Sequence, residues 1–316
     1  MVGFSEMKQL IVNADDFGYT RGVNRAIVEA CHQNGRGIIT ATSLMANAPA
    51  FDHAVELAHK TAGLDVGCHL NLVEGRPLSP ASAIPSLVNA DGQLLGARRL
   101  GKRLLTRTAS GAEIECECAA QVDRMIAAGI PPTHLDTHQH AHLHPTVATA
   151  VARTAQRYGI AWVRRPFESF SPPTRLGNVK RRILAAGLRS SARSFDRIMA
   201  AHGLRCPDHF SGFVLTGALT VVGLRATLAL LPDGATELMC HPGYTDAALA
   251  RLPTSLQAQR QRELEALCDP GVRDVLRARG IQLISFRELS APASRAERTS
   301  ALKMAASGGQ ASSQAR

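Results

Sequence analysis

The sequence predicts one α/β domain folded as a (β/α) barrel-like structure with about seven parallel strands. Three observations carry that expectation. Short apolar, β-branched runs alternate with amphipathic helical stretches, the signature of parallel strands joined by crossovers. Titratable residues collect where several of those runs end, and a parallel barrel builds its site at the carboxyl ends of its strands. No GxGxxG follows the first strand, which disfavours an open dinucleotide-binding sheet.

The first strand is read at residues 9–14, a buried run ending in Asp15-Asp16-Phe17-Gly18. A helix over 22–33 keeps Val23, Ile27 and Ala30 on one face. Residues 37–46 form the second strand, rich in β-branched side chains. Helix 49–60 follows, with Phe51, Val55 and Ala58 inward. The third strand, 64–72, carries Cys68-His69-Leu70-Asn71. A loop rich in Pro, Gly and Ser covers 74–96, and helical patterns fill 97–129. The central strand is 132–138, followed by helix 146–158 and strand 160–164. After an irregular basic segment come strand 210–215, helix 219–231 and strand 235–240, which ends in His241-Pro242-Gly243. Helices 255–267 and 271–279 precede a last strand at 281–285. Residues 1–7 read as an extension before a domain at 8–289. The Ala-, Ser- and Gly-rich tail 290–316 is expected to be disordered.

Composition narrows the function classes. The net charge of +10 favours an anionic partner or surface, although a generally basic proteome gives the same balance. Aromatics are only 4%, so stacking platforms for single-stranded nucleic acid are sparse, and no nucleic-acid partner is expected. Seven scattered cysteines without a CxxC point to reduced thiols and a cytoplasmic location. No apolar run is long enough to span a bilayer, and no signal-peptide pattern opens the chain.

The densest chemistry lies at residues 133–145, Thr-His-Leu-Asp-Thr-His-Gln-His-Ala-His-Leu-His-Pro. His134, Asp136, His138, His140, His142 and His144 fall at every second position. On a strand, His134, Asp136 and His138 share one face. Beyond them the chain is expected to bend, because Pro145 suits a first helical turn. An exposed His-rich tract has the same spacing, but apolar Leu135 on the opposite face favours a buried strand. Asp16, His69 and His138 supply one carboxylate and two imidazoles, a set that holds a divalent ion and leaves positions open. Asp15 is the candidate general base, and the adjacent acids repel unless a cation relieves them. His241 is the candidate general acid for a leaving amine. Asn71 shares the face of His69 and is placed to orient substrate or a ligand. Each residue also has an ordinary reading: Asp-Asp as a helix cap or Asx turn, His69 as a satisfied core histidine, His241 as a strand-end turn.

Four motifs in this order, VNADDFG at 12–18, GCHLNL at 67–72, THLDTHQH at 133–140 and CHPG at 240–243, resemble the YdjC-like family of carbohydrate deacetylases. That family includes chitooligosaccharide and hopanoid-associated branches. The resemblance covers residues 8–289. It implies a barrel-like α/β fold and a metal-dependent hydrolase that removes the acetyl group of an N-acetylated sugar, an N-acetylglucosamine-type oligosaccharide or a glycolipid. It maps the metal ligands onto Asp16, His69 and His138, the base onto Asp15 and an active-site histidine onto His241. His134, Asp136 and His140 fall within its motif as partners of the ligand imidazoles or of substrate. The family metal is usually given as magnesium, whereas two imidazoles suit zinc, and both stay open. The oligomeric state is open too, a homodimer included.

The chain departs from the chitobiose-type members between Arg165 and Asp208. Arg165, Arg175, Lys180, Arg181, Arg182, Arg189, Arg193, Arg197 and Arg205 stand there against Glu168 and Asp196 only, with Ile183, Leu184, Leu188 and Phe195 interspersed. This reads either as a basic amphipathic flap meeting an anionic membrane or a lipid-linked sugar, or as a solvated insertion. The first reading adds peripheral contact with the inner face of the membrane. The rival functions are a non-haem iron oxygenase, another mononuclear metallohydrolase such as a phosphoesterase, and a basic nucleic-acid-binding protein.

Overall fold

The computed structural model describes residues 7–172, 179–252 and 254–290. The expected tail beyond Ser290, residues 1–6 and Arg175 lie outside the described residues. The chain opens with β1 (Lys8–Phe17), α1 (Arg21–Glu29), β2 (Ala41–Leu44), α2 (Phe51–Lys60) and β3 (Asp65–Leu70). It continues through α3 (Ala97–Leu105), α4 (Gly111–Ala127), β4 (His134–Thr137), α5 (Pro145–Arg157) and β5 (Trp162–Val163). Next come α6 (Val179–Leu188), α7 (Ala192–Ala201), β6 (His209–Ser211), α8 (Val221–Ala229) and β7 (Gly234–Cys240). The last elements are α9 (Ala258–Leu267), α10 (Pro270–Ala278), β8 (Gln282–Leu283) and α11 (Phe286–Ser290).

The strands pair in parallel in the order β5-β4-β3-β2-β1-β7-β6, with β8 added beside β1. The sheet curls into a half-barrel with helices packed around it. β1 is an interior strand between β2 and β7, and its Leu10, Ile11, Val12 and Ala14 are fully buried, as a parallel strand covered on both faces requires. The open side lies between β5 and β6. Val163 N–H donates to the Arg205 carbonyl at 2.9 Å, and Arg205 N–H to Ala161 at 2.8 Å. Ser169 N–H reaches the Phe210 carbonyl at 2.8 Å, so the intervening chain ties the two edges together.

Local signals explain the helix starts. Thr20 caps α1, Ser110 caps α4, Thr220 caps α8 and Asp269 caps α10, each accepting from a backbone N–H. His144 does the same for α5, whose first residue is Pro145.

Several boundaries differ from expectation. The helical stretch at 97–129 is two helices, separated where Arg107 takes φ 58°. The two-residue alternation of the His-rich run stops at Thr137. His138–Leu143 is a pair of tight turns joined at a kink, where Gln139 and His140 have φ 55° and 53°. The basic segment is not irregular, for it contains α6 and α7. β6 stops at Ser211 because Gly212 (φ 119°) lies against β7, where a Cβ would sit 2.4 Å from the Met239 carbonyl oxygen.

Candidate metal centre

The site begins with a distortion in β1. Consecutive side chains of a strand point to opposite faces, yet Asp15 and Asp16 both line one cavity of about 360 Å³. Asp16 takes φ 67°, and the pairing with β2 shifts register between Ala14 and Phe17. Such a backbone costs on the order of 1–3 kcal/mol at a non-glycine residue and persists where surrounding contacts fix it. Of the four described non-glycine residues with positive φ, Asp16, Gln139 and His140 line this cavity.

β3 presents His69 near its end, and His138 follows β4 directly. Asp16 Oδ1 lies 3.5 Å from His69 Nε2 and 3.1 Å from His138 Nδ1, and the two nitrogens are 3.3 Å apart. An ion about 2.1 Å from each donor needs edges of roughly 3.0–3.4 Å, so this triangle fits one. Asp16 Oδ1 is also buried and, despite these short contacts, has no hydrogen bond of acceptable geometry. Among the described residues a second cluster, Asp15, His69 and Asp136, is close enough to share an ion. There the cation is already supplied by Arg164, so the first triangle is the candidate centre.

Arg164 follows β5 and is fully buried. Its Nη1 and Nη2 donate to Asp15 Oδ2 and Oδ1 at 2.7 and 2.6 Å. Nη2 also lies 2.8 Å from Asp136 Oδ2, and Nε donates to Glu237 at 2.7 Å. Arg260 of α9 donates to the other oxygen of Asp16 at 2.6 Å. Burial alone would raise Asp16, but Arg260 and the two imidazoles hold it well below the usual carboxylate range. Burial pushes Glu237 up to about 7 against the pull of Arg164.

His69 Nδ1–H donates to Asp136 Oδ1 at 2.7 Å, which turns Nε2 toward Asp16. Burial opposes charge on this ring, yet the Asp136 and Asp15 carboxylates outweigh it and raise its pKa to about 10. His138 is raised as well: burial is overcome by Asp16 and by Glu74, whose Oε2 lies 3.3 Å from Nε2. Glu74 in turn accepts from the Tyr19 hydroxyl at 2.7 Å. The pocket thus attracts positive charge, whether protons or a metal ion.

His241 Nε2 lies 3.8 Å from Asp15 Oδ2. Its backbone N–H donates to Glu263 at 2.6 Å, and Glu263 also accepts from Gly217 at 3.1 Å. Burial depresses the imidazole to about 4 even beside Asp15, so it is neutral at pH 7.

The remaining candidates are distributed around this centre. Asp136 touches His69, Arg164 and Ser43, the last at 2.9 Å. His140 lines the cavity, with its ring 5.5 Å from that of Phe213. His134 is fully buried and outside the cavity, stacked on Phe286 at 3.8 Å and 3.2 Å from Asn13 Oδ1. Asn71 is also outside it. The Asn71 side chain accepts from Val73 and Glu74 N–H and donates to the Glu74 carbonyl, shaping the loop that carries Glu74. Sequence reasoning missed Arg164, Glu74, Glu237, Arg260 and Glu263. Arg164 ends an expected strand, so the strand-end rule reaches it; nothing local singles out the others.

Fold and site together define a class: a curled parallel α/β barrel with its titratable cluster at the carboxyl ends of the strands. Within it the chain belongs to the YdjC family, whose model for YdjC-like proteins matches residues 9–278. It is 37% identical over 286 residues to the carbohydrate deacetylase of Geobacillus stearothermophilus, covering 88% of this chain and 96% of that one. The chitooligosaccharide deacetylase of Serratia marcescens is 34% identical over 292 residues, covering 89% and 99%. Among solved structures, an Enterococcus faecalis V583 protein named for proposed cellobiose-phosphate cleavage superimposes with a TM-score of 0.73. Its identity is 26%, and the match covers 90% of this chain and 100% of that one.

Proposed function

We propose that the chain hydrolyses the acetamido group of an N-acetylated sugar, releasing acetate and a free amine. The observation that carries this is the triangle of Asp16, His69 and His138 in one cavity with Asp15. The names of the relatives supply the substrate class. The sugar is borne on an oligosaccharide or a glycolipid. Asp16, His69 and His138 hold a divalent ion, which when bound polarises the acetyl carbonyl and acidifies a water. Two imidazoles favour zinc or another transition ion over magnesium.

Asp15, fixed in one orientation by Arg164, takes a proton from the attacking water. His241 is neutral at rest and cannot act as an acid until it has gained a proton. Its nitrogen beside Asp15 receives that proton and delivers it to the departing amine. The base therefore acts first and the acid second.

The test is acetate release from N-acetylchitooligosaccharides, before and after chelation and on adding back zinc or magnesium. Asp15→Asn should keep its metal and lose about 10²–10⁴-fold in kcat. Full activity in a chelated His138→Ala protein would refute the assignment.

A further inference from the structure

The helix α6 faces the wrong way for a helix in water. Its outward residues are aliphatic: Val179, Ile183 and Leu184 are 60, 71 and 53% exposed. Ala186 and Gly187 are exposed beside them, and Lys180 is the one charged residue on that face. The arginines of the same helix are tucked in. Arg181 lies 5.5 Å over the Phe213 ring, and Arg182 donates to Ser171 Oγ at 2.9 Å and to the Pro172 carbonyl. A surface helix ordinarily shows the opposite arrangement, apolar inward and charge outward.

This face adjoins the cavity. Leu184 and Arg181 line the cavity that holds Asp15, Asp16, His69 and His138. Arg189 directly follows α6 and donates to the Glu168 and Ser169 carbonyls, Arg193 and Arg197 stand on α7, and all three are exposed, while Asp196 of α7 is paired with Arg165 at 2.8 Å.

We infer that the outer face of α6 is a docking surface for an anionic lipid bilayer, so that the cavity mouth opens at the membrane. Aliphatic side chains enter the headgroup boundary while neighbouring cations meet anionic lipid, the arrangement of an interfacial helix. A second protein chain fits less well. Three aliphatic side chains fall far short of the ~800 Å² per partner that a stable protein interface buries. The lipid contact stands independently of the bond the site cleaves. Resting on the deacetylase reading, it brings a lipid-anchored sugar to Asp15.

The experiment sediments the full chain with phosphatidylcholine vesicles containing anionic phosphatidylglycerol, and with phosphatidylcholine alone. A double variant, Val179→Asp with Ile183→Asp, is carried alongside; neither position lines the cavity. The wild type should bind the anionic vesicles, lose binding in high salt, and bind neutral vesicles weakly. The double variant should partition at least about tenfold less onto the anionic vesicles. Acetate release from a soluble N-acetylchitooligosaccharide should be equal in both proteins. Absence of that activity in both would count against the deacetylase reading alone and leave the vesicle result standing. Failure of the wild type to bind anionic vesicles, or equal binding by the double variant, overturns the inference. So does a dimer in sedimentation velocity that the double variant dissolves, because the face would then belong to a second copy.

Discussion

Replacing Asp136 by Asn changes one atom and tests how the candidate metal centre is held. Asp136 Oδ2 accepts from Ser43 at 2.9 Å and faces Arg164 Nη2 at 2.8 Å. Both neighbours donate, so the amide oxygen of Asn must occupy that position. The amide NH₂ then faces His69 Nδ1, where Asp136 Oδ1 now accepts at 2.7 Å. To accept from that NH₂, the imidazole must carry its hydrogen on Nε2, the atom aimed at Asp16. Metal binding then requires breaking this hydrogen bond or turning the ring. A hydrogen bond involving a charged group is worth about 1.5–3 kcal/mol, or about 10–100-fold in affinity, the range measured for outer partners of metal-bound histidines. Ser43→Ala is the control. It removes one bond to the same carboxylate but keeps its charge and the His69 tautomer, so about tenfold or less should be lost. Zinc affinity is measured by competition with a chromophoric chelator, after thermal melts establish that both variants fold. Wild-type affinity in Asp136→Asn would refute the reasoning, as would an equal loss in Ser43→Ala.

Two further outcomes follow from the same geometry. His69 is held at about 10, so the metal-free protein carries a proton on that ring at pH 7, and His138 is shifted in the same direction. Loading zinc should expel at least one proton, and affinity should fall as pH falls below 10, where the proton competes for His69. Titration calorimetry in buffers of different ionisation enthalpy reads the number released, and a value of zero contradicts the protonated resting state. Gly67→Ala places a Cβ 2.4 Å from Cε1 and Nε2 of His134, a ring already stacked on Phe286. Overpacking of this kind costs about 1–3 kcal/mol, so the denaturation midpoint should drop. Unchanged stability would mean that the ring is free to yield.

What the sequence made legible follows from locality. Alternating runs of strand and helix identified the architecture because each run is a local pattern. Asp15, Asp16, His69 and His241 are legible as candidates because each stands at or near the end of such a run. The left-handed backbone of Asp16 was not legible, since its neighbours Asp15 and Phe17 give no glycine-like signal. The same holds for Gln139 and His140, where the alternation continues in sequence while the chain itself has turned. Arg260 was hidden because its partner Asp16 lies 244 positions away on another element. α6 escapes a search for a buried stripe because its aliphatic residues face outward, whereas α7 buries Phe195 and Met199 one turn apart and was within reach of such a search.

Because the sheet stays open between β5 and β6, part of the cavity wall is supplied by something other than strands. The three donors of the candidate centre come from β1, β3 and the turn after β4, whereas Arg181 and Leu184 of α6 line the same cavity from the excursion. The two-helix excursion crosses the gap and is fastened to the sheet edges by a few backbone bonds at Val163, Arg205, Ser169 and Phe210. An insertion, deletion or recharging within that excursion would reshape the cavity wall at Arg181 and Leu184, while Asp16, His69 and His138 stand on other elements. The wall of the cavity that can change most in length and charge is therefore the one built of helix rather than of sheet.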